Sequence, residues 1–183
     1  MTEGEAKETK ERIIKAAMKV FANYGYFRAP VQMIAKEAGI SKGLVFWYFG
    51  SKDELIKEVG RRGLPLDVME SCLDEGFEGR DLLRKLAERY IEKYSNKDMR
   101  SLLLQTLALE EEYPEIRERI REMCDDLTRR VAEKAFGSSN ERTFTLVRIF
   151  LGGLMCYVLR PQSVPRERYI EVLLDSVMSI DSK

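Results

Sequence analysis

Apolar residues recur along most of this chain at the three- and four-residue spacing of helices that bury one face. In residues 10–24 the repeat runs Ile13, Ile14, Ala17, Phe21 and Tyr24, with charge on the opposite side. Residues 1–9 are polar and read as a frayed start. Gly25 suits a left-handed cap on this helix. Pro30 suits the first turn of the next, where its missing N–H has no intrahelical partner to lose. A short second period carries Val31, Ile34, Ala35 and Ala38 inward. Ala38-Gly39-Ile40 then reads as a turn in which Gly39 takes a positive φ and Ile40 plugs the gap between helices. Ser41 is a good N-cap for a third helix that runs to about Phe49, where Gly50 breaks it. Ser51 and Glu54 are spaced as a capping box ahead of Leu55, Ile56 and Val59.

The remainder continues in the same period. Pro65 must kink or break the fourth helix, and residues 66–73 carry on toward a turn at 76–79. Residues 80–95 carry the stripe Leu82, Leu83, Leu86, Tyr90 and Tyr94, and residues 98–112 carry Met99, Leu102, Leu103, Thr106, Leu107 and Leu109. Pro114 restarts a long charged helix with Ile116, Ile120, Met123, Leu127 and Val131 on one face. The stretch 141–160 differs: Phe144, Leu146, Val147, Ile149, Phe150, Leu154, Tyr157 and Val158 surround the helix almost completely, which demands burial on more than one side. A turn opening at Pro161 leads to a last helix over 166–180. The pattern predicts an all-α protein of about nine helices, without a repeat.

Composition narrows the chemistry. The 183 residues suffice for a core without disulfides or metal. The net charge is zero, but residues 1–52 hold nine Lys/Arg against five Glu, leaving 22 basic against 26 acidic residues elsewhere. A basic first third on an acidic body suits a polyanion at one end. There are no histidines, which removes His-based acid–base catalysis, Ser-His triads and His-ligated metals. Cys72, Cys124 and Cys156 are far apart and read as reduced thiols rather than a zinc or disulfide framework. No metal, cofactor or catalytic residue is expected. With no signal region at the start and no unbroken apolar run of membrane-spanning length, the chain reads as cytoplasmic, with no membrane partner.

The stretch 31–50 has the layout of a helix-turn-helix, whose second helix enters the DNA major groove. Arg12-Ile13-Ile14, Ala16-Ala17, Phe21, Gly25-Tyr26, Ile34-Ala35, Ala38-Gly39-Ile40-Ser41-Lys42-Gly43, Phe49, Lys52 and Leu55 together resemble the DNA-binding domain of the tetracycline-repressor (TetR) family. The resemblance covers residues 8–57. It implies a three-helix DNA-binding domain there and a larger helical effector-binding and dimerisation domain over 58–183. It further implies a homodimer on double-stranded operator DNA, and a small-molecule effector that alters the spacing of the two DNA-reading heads. The sequence departs from the family pattern at Ala29 and Pro30, where a capping hydroxyl is usual, and at Phe46, where Tyr is usual. Tyr48, at a position often His, could supply a hydroxyl instead.

Within the third helix Val45 and Phe49 should face the first two helices, leaving Lys42, Gly43, Leu44, Trp47 and Tyr48 outside. Gly43 allows close approach to the DNA backbone, and the helix start at Ser41 offers N–H groups to a phosphate. Lys42 and Lys52 are the expected cationic phosphate contacts. Leu44 and Trp47 could touch thymine methyls, and Gln32 a base or phosphate. Helices 141–160 and 166–180 would build the dimer interface, with Gly152-Gly153 permitting close approach or leaving room for a ligand. Tyr90, Tyr94, Thr106, Met123, Leu127, Phe150 and Tyr157 could line an apolar effector pocket, although a plain core explains them equally. The expected function is a ligand-responsive transcriptional regulator, most simply a repressor. The alternatives are a helical scaffold without DNA binding and a small helical enzyme, for which no catalytic constellation is present.

Overall fold

The computed structural model describes residues 2–112, 114–160 and 163–181. Pro161 and the side chain of Ile116, both invoked above, lie outside the described residues. The described residues form ten helices and no strand. They are α1 (Glu3–Tyr24), α2 (Val31–Ala38), α3 (Lys42–Phe49), α4 (Lys52–Gly63), α5 (Leu66–Asp74), α6 (Gly79–Ser95), α7 (Lys97–Glu112), α8 (Pro114–Phe136), α9 (Glu141–Leu159) and α10 (Arg166–Asp181). Pro65 breaks the chain between α4 and α5, with Leu64 extended at φ −82°, ψ 162°. That break makes the tenth helix.

Three local expectations need correction. The first residues are not frayed: Thr2 and Glu5 form a reciprocal capping box that starts α1 at Glu3. Gly25 has φ 83° but ψ 155°, so it is not a left-handed cap; its N–H still closes the helix on the Phe21 carbonyl. At Ser51 only half a box forms. Its Oγ accepts from Glu54 N, while its own N–H is taken by the Phe49 carbonyl. Gly39, by contrast, is left-handed at φ 66°, ψ 37°, as the turn requires.

The helices fall into two compact units: residues 1–64 with 97–117, and residues 65–96 with 118–183. In the first, α1 packs on α2, α4 and α7, and α3 packs on α2 and α4. Ile13, Ile14, Ala17, Phe21, Ile34, Val45, Leu55 and Val59 are buried in one core, joined by Leu102 and Leu109 from α7. Arg62 clasps Glu11 with two bonds of 2.6 and 2.7 Å, tying α4 to α1 and holding the Glu11 carboxyl below its ordinary range. On α7, Ser101 Oγ donates to the Ala22 carbonyl, and Gln105 Nε2 to Phe21 and Ala22, at the end of α1. Gly63 lets α7 approach closely: a Cβ there would stand 3.1 Å from Thr106 Oγ1.

In the second unit α6 packs on α5, α9 and α10, and α9 on α10. Leu82, Leu83, Leu86, Leu146, Val147, Phe150, Leu154, Leu174 and Val177 are buried. Arg80 and Arg84 from α6 hold Glu171 on α10. Gly153 serves close helix approach, since a Cβ there would meet Leu173 at 2.8 Å, and its carbonyl accepts from Tyr169 Oη. Gly152 faces open space. One face of α9 stays uncovered: Ile149 is 51% exposed, and Val172 and Ile180 on α10 are 48% and 44% exposed. Although Arg148 interrupts it, α9 has the length and, at 1.4, the mean hydropathy of a membrane-crossing helix. Core helices of water-soluble proteins pass the same test.

Candidate nucleic-acid interface

The interface is built on α3. Ser41 opens it, its Oγ accepting from Leu44 N at 3.2 Å. Gly50, at φ 71°, closes it. Val45 is buried, and Tyr48 and Phe49 pack half-buried against the core of the first unit. That fixes the rotation of the helix and turns Lys42, Gly43, Phe46 and Trp47 outward. Leu44 is half-buried beside them. The N–H groups of Lys42 and Gly43 lie in the first turn, where helix geometry offers no intrahelical acceptor. They sit at the positive end of the helix dipole, an arrangement suited to a phosphate oxygen.

Trp47 decides the character of this surface. It is 67% exposed and meets Tyr48 edge-on, ring centroids 4.8 Å apart. Core packing, the ordinary role of a lone tryptophan, is excluded for it. Lys42 Nζ lies 5.7 Å from the centroid of the Phe46 ring, itself 37% exposed. Sequence reasoning weighed Phe46 only as a missing hydroxyl. Its spacing of four from Lys42 was the available signal that both share a face. Gln32 is exposed on α2.

Lys52 is placed differently from the other candidates. Its ammonium donates to the Phe27 carbonyl at 2.8 Å, and partial burial pushes its pKa below the ordinary lysine range. It pins the loop between α1 and α2 to the start of α4. Ala29 in that loop is fully buried, and Pro30 occupies the N-cap position of α2 rather than its first turn, with no side-chain cap bond. A small apolar residue and a fixed φ therefore replace the hydroxyls of the family pattern.

The residues considered for an effector pocket divide between the units. Thr106 lies in the first, buried, with its hydroxyl 2.9 Å from Tyr26 Oη. The other six lie in the second. Tyr90 and Tyr94 are buried with ring centroids 4.7 Å apart, and burial pushes both phenols well above the ordinary tyrosine range. Leu127 and Phe150 are buried and Met123 is half-buried. Tyr157, also half-buried, stacks obliquely on Tyr169 at 4.6 Å. Among the described residues no cluster of three or more Cys, Asp or Glu could hold a metal ion.

Residues 13–59 match the family described as bacterial regulatory proteins, tetR family. The chain is 43% identical over 68 residues to the uncharacterised regulator TtgW of Pseudomonas putida, covering 37% of this chain and 51% of that protein. It is 32% identical over 127 residues to the transcriptional regulator TtgR of the same organism, covering 68% and 54%. The chain thus spans about half the length of these curated relatives. A solved TetR-family regulator from Mesorhizobium loti is similar over 98% of both chains, with a TM-score of 0.75 at 20% identity, a likeness of fold. A regulator of the TerR/AcrR family from Aquifex aeolicus matches over 94% of this chain and 99% of its own, with a TM-score of 0.67 at 27% identity.

Proposed function

The chain belongs to the TetR family of DNA-binding transcriptional regulators, and from that premise we propose that it is a repressor released from DNA by a small effector. Two copies bind a palindromic operator, each reading a half-site through α3, with half-sites about one helical turn apart. Residues 8–57 form the DNA-reading domain, and 58–183 provide dimerisation and effector binding. Lys42, Gly43 and Ser41 engage phosphate, with Tyr48 and Gln32 at the edge of the contact. Trp47 and Leu44 meet base edges and thymine methyls. Lys52 acts through the loop it pins and adds its charge to the phosphate contact. The exposed faces of α9 and α10 around Ile149 and Val172 meet their twofold mates. An apolar or amphipathic effector sits near Tyr90, Tyr94, Met123, Leu127, Phe150 and Tyr157, without Thr106. Regulation of this kind takes place in the cytoplasm.

The observation that carries the DNA-reading surface is the outward tryptophan beside Lys42 on a helix whose other face is packed. It is the only tryptophan in the chain, so its emission reports on α3 alone. An operator is first selected from random duplexes. Titration with that duplex should then quench or shift the emission, and Trp47→Ala should weaken binding by roughly ten- to a hundredfold. Unchanged emission at saturating operator would refute the placement of α3 in the groove.

A further inference from the structure

We infer that the cleft between the 24–28 loop and α7 binds a small aromatic carboxylate that carries a hydroxyl or amino donor on the far side of its ring. The cleft has a volume of about 360 Å³ and lies wholly within the first unit, walled by Tyr24, Phe27, Ala108 and Leu109, with Arg28 and Gln105 as its polar members. A volume near the bottom of the usual ligand range fits a single-ring molecule.

The donor requirement comes from Gln105. Its Nε2 donates to the Phe21 carbonyl at 3.2 Å and to Ser101 Oγ at 2.9 Å. Reversing the carboxamide would set its oxygen against a carbonyl oxygen, so these bonds fix which way it points. Its Oε1 is then held in place, buried and without a hydrogen-bond partner, the single such side-chain atom among the described residues. A buried acceptor left unmet costs free energy, which a ligand N–H or O–H recovers on binding. Gly25 is a neighbour of that oxygen: a Cβ there would stand 3.8 Å from it, in ordinary van der Waals contact.

The aromatic and anionic requirements come from the walls. Tyr24 and Phe27 are 54% and 50% exposed, an unusual amount of ring surface for one short loop. The loop is preformed, since Lys52 holds the Phe27 carbonyl and Tyr26 is anchored on Thr106. Arg28 is exposed and supplies a guanidinium that pairs with a carboxylate in bidentate fashion. Ring, donor and anion together describe a hydroxy- or aminobenzoate.

The test uses the full chain labelled with nitrogen-15 and three probes: 4-hydroxybenzoate, benzoate and phenol. We expect 4-hydroxybenzoate to shift the backbone amides of residues 24–28 and 105–109 and the Gln105 carboxamide, with an affinity about fivefold or more above either partial analogue. Arg28→Ala, at an exposed position, should weaken 4-hydroxybenzoate about fivefold and leave phenol unchanged. Gln105→Met should abolish the advantage of 4-hydroxybenzoate over benzoate. Should that variant unfold, the Arg28→Ala arm and the three-probe comparison decide alone. The absence of shifts at these residues, which would mean a cleft holding water only, overturns the inference. So does equal affinity for all three probes.

Discussion

At the scale of single residues, the bond between Tyr26 and Thr106 fastens α7 to the loop after α1. Tyr26 is 2% exposed, stacks on Phe21 at 5.1 Å and reaches a hydroxyl eighty residues away. Tyr26→Phe keeps the ring and strands the buried Thr106 hydroxyl, so it should cost about 1–2 kcal/mol, read as a lower urea midpoint at unchanged slope. The same residue sets an alkaline limit. Burial raises its phenol to about 12, whereas in the unfolded chain it ionises near pH 10. Its contribution is therefore complete below about pH 10 and is lost as pH rises through the folded value. Tyr26→Phe should lose less stability than the parent chain between those pH values, as followed by urea unfolding at each pH. The inward position of Thr106 was legible from its helical stripe. Its partner was not, because periodicity tells which face is buried and nothing of what lies opposite. The partner of Lys52 was hidden in a related way: the lysine reads as a phosphate contact, and the Phe27 carbonyl to which it donates lies on another segment.

At the scale of elements, the proposed reading gives contact to α3 and support to the start of α4. Lys42→Ala should weaken operator binding, lower the salt slope by about one and leave thermal stability unchanged. Lys52→Ala releases the Phe27 carbonyl and should lower stability as well as affinity. Calorimetry beside salt-dependent mobility shifts distinguishes the two. The paired glycines of α9 give a second contrast. Gly153→Ala drives a methyl into Leu173 and should destabilise by about 1–2 kcal/mol, whereas Gly152→Ala meets open space in the single chain and gains up to about 1 kcal/mol of helix propensity. Thermal unfolding of the two variants checks the order. Element ends were legible where the capping chemistry is local, as at Gly39 and Ser41. One was missed where the capping chemistry preceded the apolar period, as at Thr2; at Ser51 the end was legible, and only the second bond of the box was lost to a competing carbonyl.

At the scale of the whole molecule, chain order and packing part company. The family likeness stops near residue 59, yet α7 completes the core around α1 and α4 through Leu102 and Leu109. No motif marks α7, so its membership of the first unit could be learned only from the fold. The nearly all-round apolar character of α9 was legible, and one of its sides remains open in a single chain. On the proposed dimer, Ile149→Glu should yield a folded monomer by sedimentation velocity. Losing the second head should reduce operator affinity about a hundredfold.

The apolarity of α9 also bears on the chain before it folds. Until α6 and α10 receive it, the newly made segment is nineteen residues long, and its hydropathy is of the kind that a protein-conducting channel passes sideways into lipid. Arg148, near its middle, opposes that transfer by about 2.5–3.5 kcal/mol. In the finished structure the same guanidinium lies 5.9 Å from the Phe144 ring centroid and 3.5 Å from Asp125. One side chain thus makes a modest surface contact in the folded protein and raises the cost of placing this helix in a bilayer.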